Sequence, residues 1–353
     1  MWFSAVKAIV KEREMERVIK SGNSVATSKR ELTQPSRRPA AGQLKDGSSW
    51  RRELQKNWQL YAMALPGILV LLIFGYGPMF GLSIAFVDYS PARGIMHSEW
   101  VGLEWFRRAF SNPMFWTAVR NTLTIKGLQT LIGFPSAIIL ALLLNEVRIR
   151  WFKKMVQTAT FLPYFVSWVI ISSMFRNILG SSGVVNQILV NVFALKPVNF
   201  LTDPAIFRWV VVLQDTWKWC GYFAVLYLAA MTTIDPALYE AAEIDGASRW
   251  QQTWHITIPS IKPMMSTILI ILVGFLIDTG SGGGGTFEQI YTMYNVSVYA
   301  AADIISTFTY RLGLGQSRYS LATAVGLFQS VIAFGLVACA NRIMKRLGQE
   351  GLF

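Results

Sequence analysis

The chain has 353 residues, 53% of them apolar and only 15% charged, with a mean hydropathy of +0.38, which excludes an ordinary soluble domain and places it in a membrane. Its formal charge of +13 would suit nucleic acid, but the Lys and Arg residues gather in short clusters beside apolar runs, a pattern that reads as membrane topology and not as DNA binding. Cys220 and Cys339 lie within apolar runs and offer neither metal-ligand spacing nor a disulfide framework, so no metal site is expected.

The segment 1–57 is a basic tail, expected to be partly disordered. Trp2, Phe3, Val6, Ile9 and Val10 share one helical face beside Lys7 and Lys11, which fits either a helix lying on the inner leaflet or a short helix ahead of a Ser/Pro/Arg linker. Met1 to Lys20 lacks the unbroken apolar core of a secretory signal. Trp58 and Tyr61 then read as interfacial anchors of a first span.

A bilayer-crossing helix needs about 20 apolar residues. Six runs qualify: about 59–88, 117–145, 155–177, 208–232, 262–300 with an interruption, and 319–343. The predicted fold class is therefore all-α, a membrane protein of six transmembrane helices over 58–353. By the positive-inside rule the tail, the loop holding Arg148, Arg150, Lys153 and Lys154, and the end holding Arg342, Lys345 and Arg346 are all cytoplasmic. The outer loops fall at about 89–116, 178–207 and 300–318.

The same parity puts a polar stretch, about 235–262, in the cytoplasm between spans four and five. Asp235 and Pro236 start a helix and Gly246 stops it; Ser248 starts a second that runs to about Thr257, before Pro259. Two helices this short need outside support in water. Leu238, Ala241, Ala242 and Ile244 lie beside Glu240, Glu243 and Asp245 on the first, and Trp250 and Trp254 one turn apart on the second, so the pair reads as a docking surface or as packing against the ends of the spans.

Glu240-Ala241-Ala242, Asp245-Gly246-Ala247 and Ile256-Thr257-Ile258-Pro259 together resemble the EAA signature of ABC importer permeases of the type I fold. Ile258 stands where that pattern usually has Leu. "NTLTIKGLQTLIGFPSAIILALLLNEV", "LPYFVSWVIISSMFRNILGSSGVVNQIL", "DTWKWCGYFAVLYLAAMTTIDPALYEAAEIDGASRW" and the ending "KRLGQEGLF" extend the resemblance over about 57–353, toward the polysaccharide and complex-sugar branch. The resemblance implies a cytoplasmic coupling helix that enters a cleft of an ATPase subunit. Glu240 would make a polar contact there, Ala241 and Ala242 would permit close approach, and Asp245, Gly246 and Trp250 would complete the coupling surface around the bend. It also implies a second, homologous permease as heterodimer partner, an ATPase dimer that uses ATP and Mg, and an extracytoplasmic solute-binding protein. This chain itself would bind no cofactor and perform no catalysis, in a bacterial inner membrane with both termini cytoplasmic.

Polar groups inside a span normally face a partner or a watery cavity. Span four carries Gln214, Asp215, Trp217, Lys218, Trp219 and Tyr222, a mixture of rings, amides and charges that suits a sugar, although Asp215 and Lys218 share a helical face and could simply neutralise each other. In span five the apolar run 264–278 reaches roughly 22 Å at 1.5 Å per residue, short of a core about 30 Å thick. The run Gly280 to Gly285 follows, then Glu288, Gln289, Tyr291, Tyr294 and Asn295, which reads as irregular backbone lining a solute route, or as a plain outer loop. Near the start of span two Arg120 and Lys126 add positive charge beside Asn121, although both could equally snorkel to an interface; Arg120 and Lys218 facing the cavity would favour an anionic sugar such as a uronate oligosaccharide.

The reading is thus a permease subunit of an ATP-driven importer of oligo- or polysaccharide. No Gly-x-x-x-x-Gly-Lys-[Ser/Thr] loop occurs, so the energy would come from a partner. The rivals are a proton-coupled secondary transporter using Asp215 or Glu288, which inverted repeats would support, and a membrane enzyme, for which His97 and His255 fall on opposite sides of the membrane.

Overall fold

The computed structural model describes residues 57–275, 285–346 and 348. The expectations for the basic tail, for Gly280 to Gly284 of the glycine run and for the last five residues lie outside the described residues. The chain divides into two units at Leu72 and Ile73. In the first, the described part is helix α1, Trp58–Val70, running into the turn that begins at Leu71.

The second unit continues the helical run to Phe86. It then forms a two-residue antiparallel ladder of β1, Val87–Asp88, and β2, Glu99–Trp100, paired Val87 to Trp100 and Asp88 to Glu99. Helix α2, Glu104–Phe110, follows. The outer loop foreseen at 89–116 is therefore partly ordered, because Ser320 Oγ donates to the Val87 carbonyl at 2.7 Å and accepts from Tyr89 N at 3.0 Å.

The spans then follow in order. Helix α3, Pro113–Glu146, starts with Asn112 accepting from Met114 N and Pro113 in the first turn, as N-terminal capping requires. Next come α4, Arg150–Phe161; α5, Trp168–Leu179; α6, Val184–Asn191; and α7, Pro204–Met231, capped by Asp203. The polar stretch holds α8, Pro236–Ile244, and α9, Arg249–Gln252, continued by a wider turn Thr253–Thr257 and the single turn α10, Ile258–Ser260. After it stand α11, Lys262–Gly274; α12, Thr286–Met293; α13, Tyr299–Ala302; α14, Ile305–Tyr310; and α15, Tyr319–Arg346.

Among the described residues four helical runs are long and apolar enough to cross a bilayer, and six if each of two bent pairs is one span. The bends are 74° between α7 and α8 and 60° between Arg249–Ser260 and α11. The upper count matches the six expected spans, with two differences in position. The third candidate is Trp168–Asn191, against the expected 155–177, and takes in part of the loop foreseen at 178–207. Ahead of it the helix is broken: Pro163 has no N–H to give, Leu162–Phe165 tightens to a 3₁₀ turn, and Ser167 restarts the helix by accepting from Ile170 N. The fifth pairs Arg249–Ser260 with α11, against the expected interrupted run 262–300.

Small residues set the helix spacing. Ala137 and Ala141 on α3 and Ala224 on α7 are buried against Phe223, Tyr227 and Ile268 in one cluster. A second cluster joins Ile125, Phe207 and Val211 to Ile290 and Met293 of α12. The outward flank of α3 is apolar instead, with Leu131, Ile139 and Leu143 exposed, as a helix solvated by lipid should be. Gly221 of α7 lies so close to α4 that a Cβ there would stand 2.0 Å from the Thr160 carbonyl oxygen. Gly221→Ala is expected to cost about 1–3 kcal/mol by overpacking, read as a lower melting temperature in detergent. Gly326→Ala, whose Cβ meets nothing within 4 Å, should leave melting unchanged or slightly raised.

Candidate functional site

The polar stretch folds into a capped hairpin. Asp235 accepts from Ala237 N at 3.0 Å to open α8. At its other end Gly246, at φ +78°, lets Ala247 N reach the Ala242 carbonyl at 2.9 Å and Gly246 N reach the Glu243 carbonyl at 3.1 Å. That is a Schellman closure, which needs the left-handed conformation glycine supplies. Ser248 and Gln251 form a capping box on α9. Across the bend Arg249 pairs with Glu243 at 3.1 Å, and Tyr239 bonds Thr257 at 2.9 Å.

With its backbone satisfied internally, the hairpin still shows apolar groups outward: Ile244 is 87% exposed and Trp250 70%. Glu240, Ala241 and Asp245 are also exposed, and Ala242 is half-buried. Trp250 and Trp254 meet edge to face with centroids 5.6 Å apart.

The expected pathway residues divide into separate groups. Gln214 and Gln289 are fully buried, joined at 2.9 Å through the Gln289 amide, which also donates to the Val211 carbonyl at 2.8 Å. Gln129 of α3 donates to Gln289 Oε1 at 3.0 Å. These amides tie α12 to α3 and α7 and present no face to a solute in this conformation. Lys218 is likewise engaged: its ammonium donates to the carbonyls of Pro163 at 3.4 Å, Tyr164 at 3.1 Å, and Val166. In this conformation it closes the carbonyls loosened where the helix breaks ahead of Ser167. Asp215 lies within electrostatic reach of Lys126 and Lys218, with Lys126 also buried. Beside them lies a cavity of about 30 Å³ lined by Lys126, Gln129, Asp215 and Trp219, large enough for a water and too small for a sugar ring.

Trp219 and Tyr222 belong to an aromatic stack with Tyr164, the Tyr164 and Tyr222 rings lying 4.3 Å apart and nearly parallel. Trp217 points elsewhere, toward Phe175 and the exposed flank of α7. Arg120 is exposed on the flank of α3 that carries Trp116 and Leu123, away from buried Lys126. On α12, Glu288 and Tyr291 are exposed, and Tyr291 packs with Phe287 at 5.3 Å and Tyr310 at 5.0 Å. Tyr294 packs on Tyr299 at 4.9 Å, while Asn295 donates to the Leu201 carbonyl and caps Ser297. Gly285, at φ +64°, starts α12 against Trp168, whose Nε1 would lie 2.0 Å from an added Cβ.

A family model for the binding-protein-dependent transport system inner membrane component matches residues 133–349. The chain belongs to that family of ABC importer permeases. Protein LplB of Bacillus subtilis is 43% identical to the permease, over 87% of this chain and 95% of that protein. The polygalacturonan/rhamnogalacturonan transport system permease protein YteP of the same organism is 44% identical, over 83% and 90%. A solved bacterial alginate ABC transporter, in complex with an alginate pentasaccharide-bound periplasmic protein, superposes with a TM-score of 0.78 at 41% identity, covering 86% of this chain and 99% of that one. The permease is thus a transport subunit of the inner membrane and not an enzyme.

Sequence reasoning missed Gln129, Tyr310 and the pair of half-buried Arg311 and buried Asp303 at 2.5 Å. Gln129 was visible as a lone amide in an apolar run, a signal that calls for a partner. Tyr310 had no such signal, because only folding brings α14 to α12. Gln289→Leu should strip the bonds to Gln129, Gln214 and Val211, costing about 1–3 kcal/mol. The check is thermal unfolding together with hydrogen exchange, which should quicken across α12 and remain unchanged in α8.

Proposed function

We propose that the permease is the membrane-spanning subunit of an ATP-driven importer of oligo- or polysaccharide and that the α8–α9 hairpin couples it to a separate ATPase. The carrying observation is the hairpin itself: internally capped, bent 74° from α7, and offering Ile244 and Trp250 largely exposed among the described residues. Exposed apolar side chains on a rigid, polar-rimmed bend fit a protein cleft. On this reading Glu240 makes a polar contact at the cleft, and Ala241 and Ala242 let the helix approach closely. Asp245 and Gly246 shape the turn. ATP and Mg are consumed by the partner, the hairpin lies in the cytoplasm with both termini, and a second homologous permease and an extracytoplasmic binding protein complete the assembly.

For the substrate, an acidic saccharide is supported by chemistry on the chain and by the relatives' names. Lys126 and Lys218 set two cationic side chains beside Asp215 in the interior, where attraction is weakly screened. YteP is named for polygalacturonan and rhamnogalacturonan, and the structural neighbour is an alginate transporter. Tyr291, Phe287 and Tyr310 offer flat rings beside Glu288 on which sugar faces can stack.

Glu240→Lys and Gly246→Pro should each lower ATP-driven uptake at least tenfold in vesicles while all spans remain inserted, since a proline cannot adopt φ +78°. Normal uptake in both would remove the coupling role. Uptake that persists on ATP depletion and stops when the proton gradient collapses would instead establish the proton-coupled alternative. Lys126→Met should reduce the preference for uronate over neutral oligosaccharide several-fold, and Arg120→Ala should leave it unchanged. Equal preference in wild type and Lys126→Met would count against an acidic substrate selected here.

A further inference from the structure

Two spaces adjoin where α3 ends and α9 begins. One is an apolar groove of about 710 Å³ between Ile138, Ile139, Leu142 and Leu143 of α3 and Trp250 and Trp254 of the hairpin. The other is a polar pocket of about 220 Å³ that includes Asn145, Arg148, Tyr239 and Gln252. They share Glu146, Arg249 and Thr253, so they form one continuous amphipathic site, and the groove falls within the roughly 300–1,000 Å³ of ligand-sized sites.

The depth fits a lipid. The exposed apolar flank of α3 gives out at Leu143, and the basic cluster Arg148, Arg150, Lys153 and Lys154 follows directly, which marks the boundary between hydrocarbon and head groups. Indoles favour that boundary, and the half-exposed Trp254 and more exposed Trp250 stand at it. The charge fits an anion. Arg249 is already paired with Glu243, Arg148 makes no ion pair among the described residues, and the basic cluster outnumbers Glu146. A phosphodiester joined to an acyl chain satisfies both halves.

We propose that this site holds an anionic glycerophospholipid of the phosphatidylglycerol class, its acyl chain between α3 and the two tryptophans and its phosphate at Arg148. The lipid braces the second hairpin helix against span two. This inference stands on the two adjoining spaces and not on the ATPase-coupling reading.

The test uses the full chain in nanodiscs of phosphatidylcholine, doped at equal mole fraction with either phosphatidylglycerol or phosphatidylcholine brominated on its acyl chains. Tryptophan quenching is compared between wild type and the Trp250→Phe/Trp254→Phe variant, so that their difference isolates the two indoles. The proposal expects that difference to be at least twofold larger with brominated phosphatidylglycerol, and Arg148→Gln to equalise the two lipids. Equal quenching by both lipids in wild type would overturn the head-group selectivity. No contribution from the two indoles would overturn lipid in the groove, as would its disappearance when the chain is assembled with its partner permease, since a protein helix then covers the site.

Discussion

The ammonium of Lys218 on the carbonyls of Pro163, Tyr164 and Val166 is the contact on which the rest of the interior depends. No water within the bilayer core relieves a loose carbonyl, so a span can break there only where the protein itself supplies donors. Pro163 forces the break and Lys218 makes it tolerable. Asp215 offsets part of the positive charge of Lys218 and Lys126, and Tyr164, Trp219 and Tyr222 close around the turn as a stack of rings. Trp168, just past the break, carries Lys218 over one side of its ring at 5.1 Å and accepts Gly285 against its edge, so the irregularities of spans three and five meet at one side chain.

The same rule explains the glutamines. Gln129, Gln214 and Gln289 come from three helices and are joined through Gln289, which accepts from Gln129 and donates to Gln214. Their bonds fix α12, a helix of eight residues that has little order of its own, and so decide which way Glu288 and Tyr291 face. At the other end of the span bundle the hairpin obeys a different solvent. Its caps close its own hydrogen bonds, which leaves Ile244 and Glu240 outward.

Much of this architecture was legible in the chain. Apolar runs of sufficient length announced the spans, and Asp235-Pro236, Gly246 and Ser248 announced the hairpin's start, bend and restart, each of which the structure shows with the expected cap. These features are local: a cap or a left-handed glycine is decided by neighbours within five residues. The polar side chains of span four were also recognisable as out of place in lipid. Their partners were not, because Lys218 and Val166 are 52 residues apart and Gln129 and Gln289 are 160 apart.

What the sequence by itself determined is membrane residence, the number of spans and the shape of the cytoplasmic hairpin, since those follow from segment length, local capping and the chemistry of the surrounding solvent. Only the tertiary structure decided which polar groups serve the fold and which remain outward. Gln214, Gln289 and Lys218 turned inward to satisfy helices that must bury every backbone and amide group, whereas Tyr291 and Glu288 stayed exposed. The physical reason is that a polar residue in a bilayer must find a partner, and the identity of that partner is set by which helices touch.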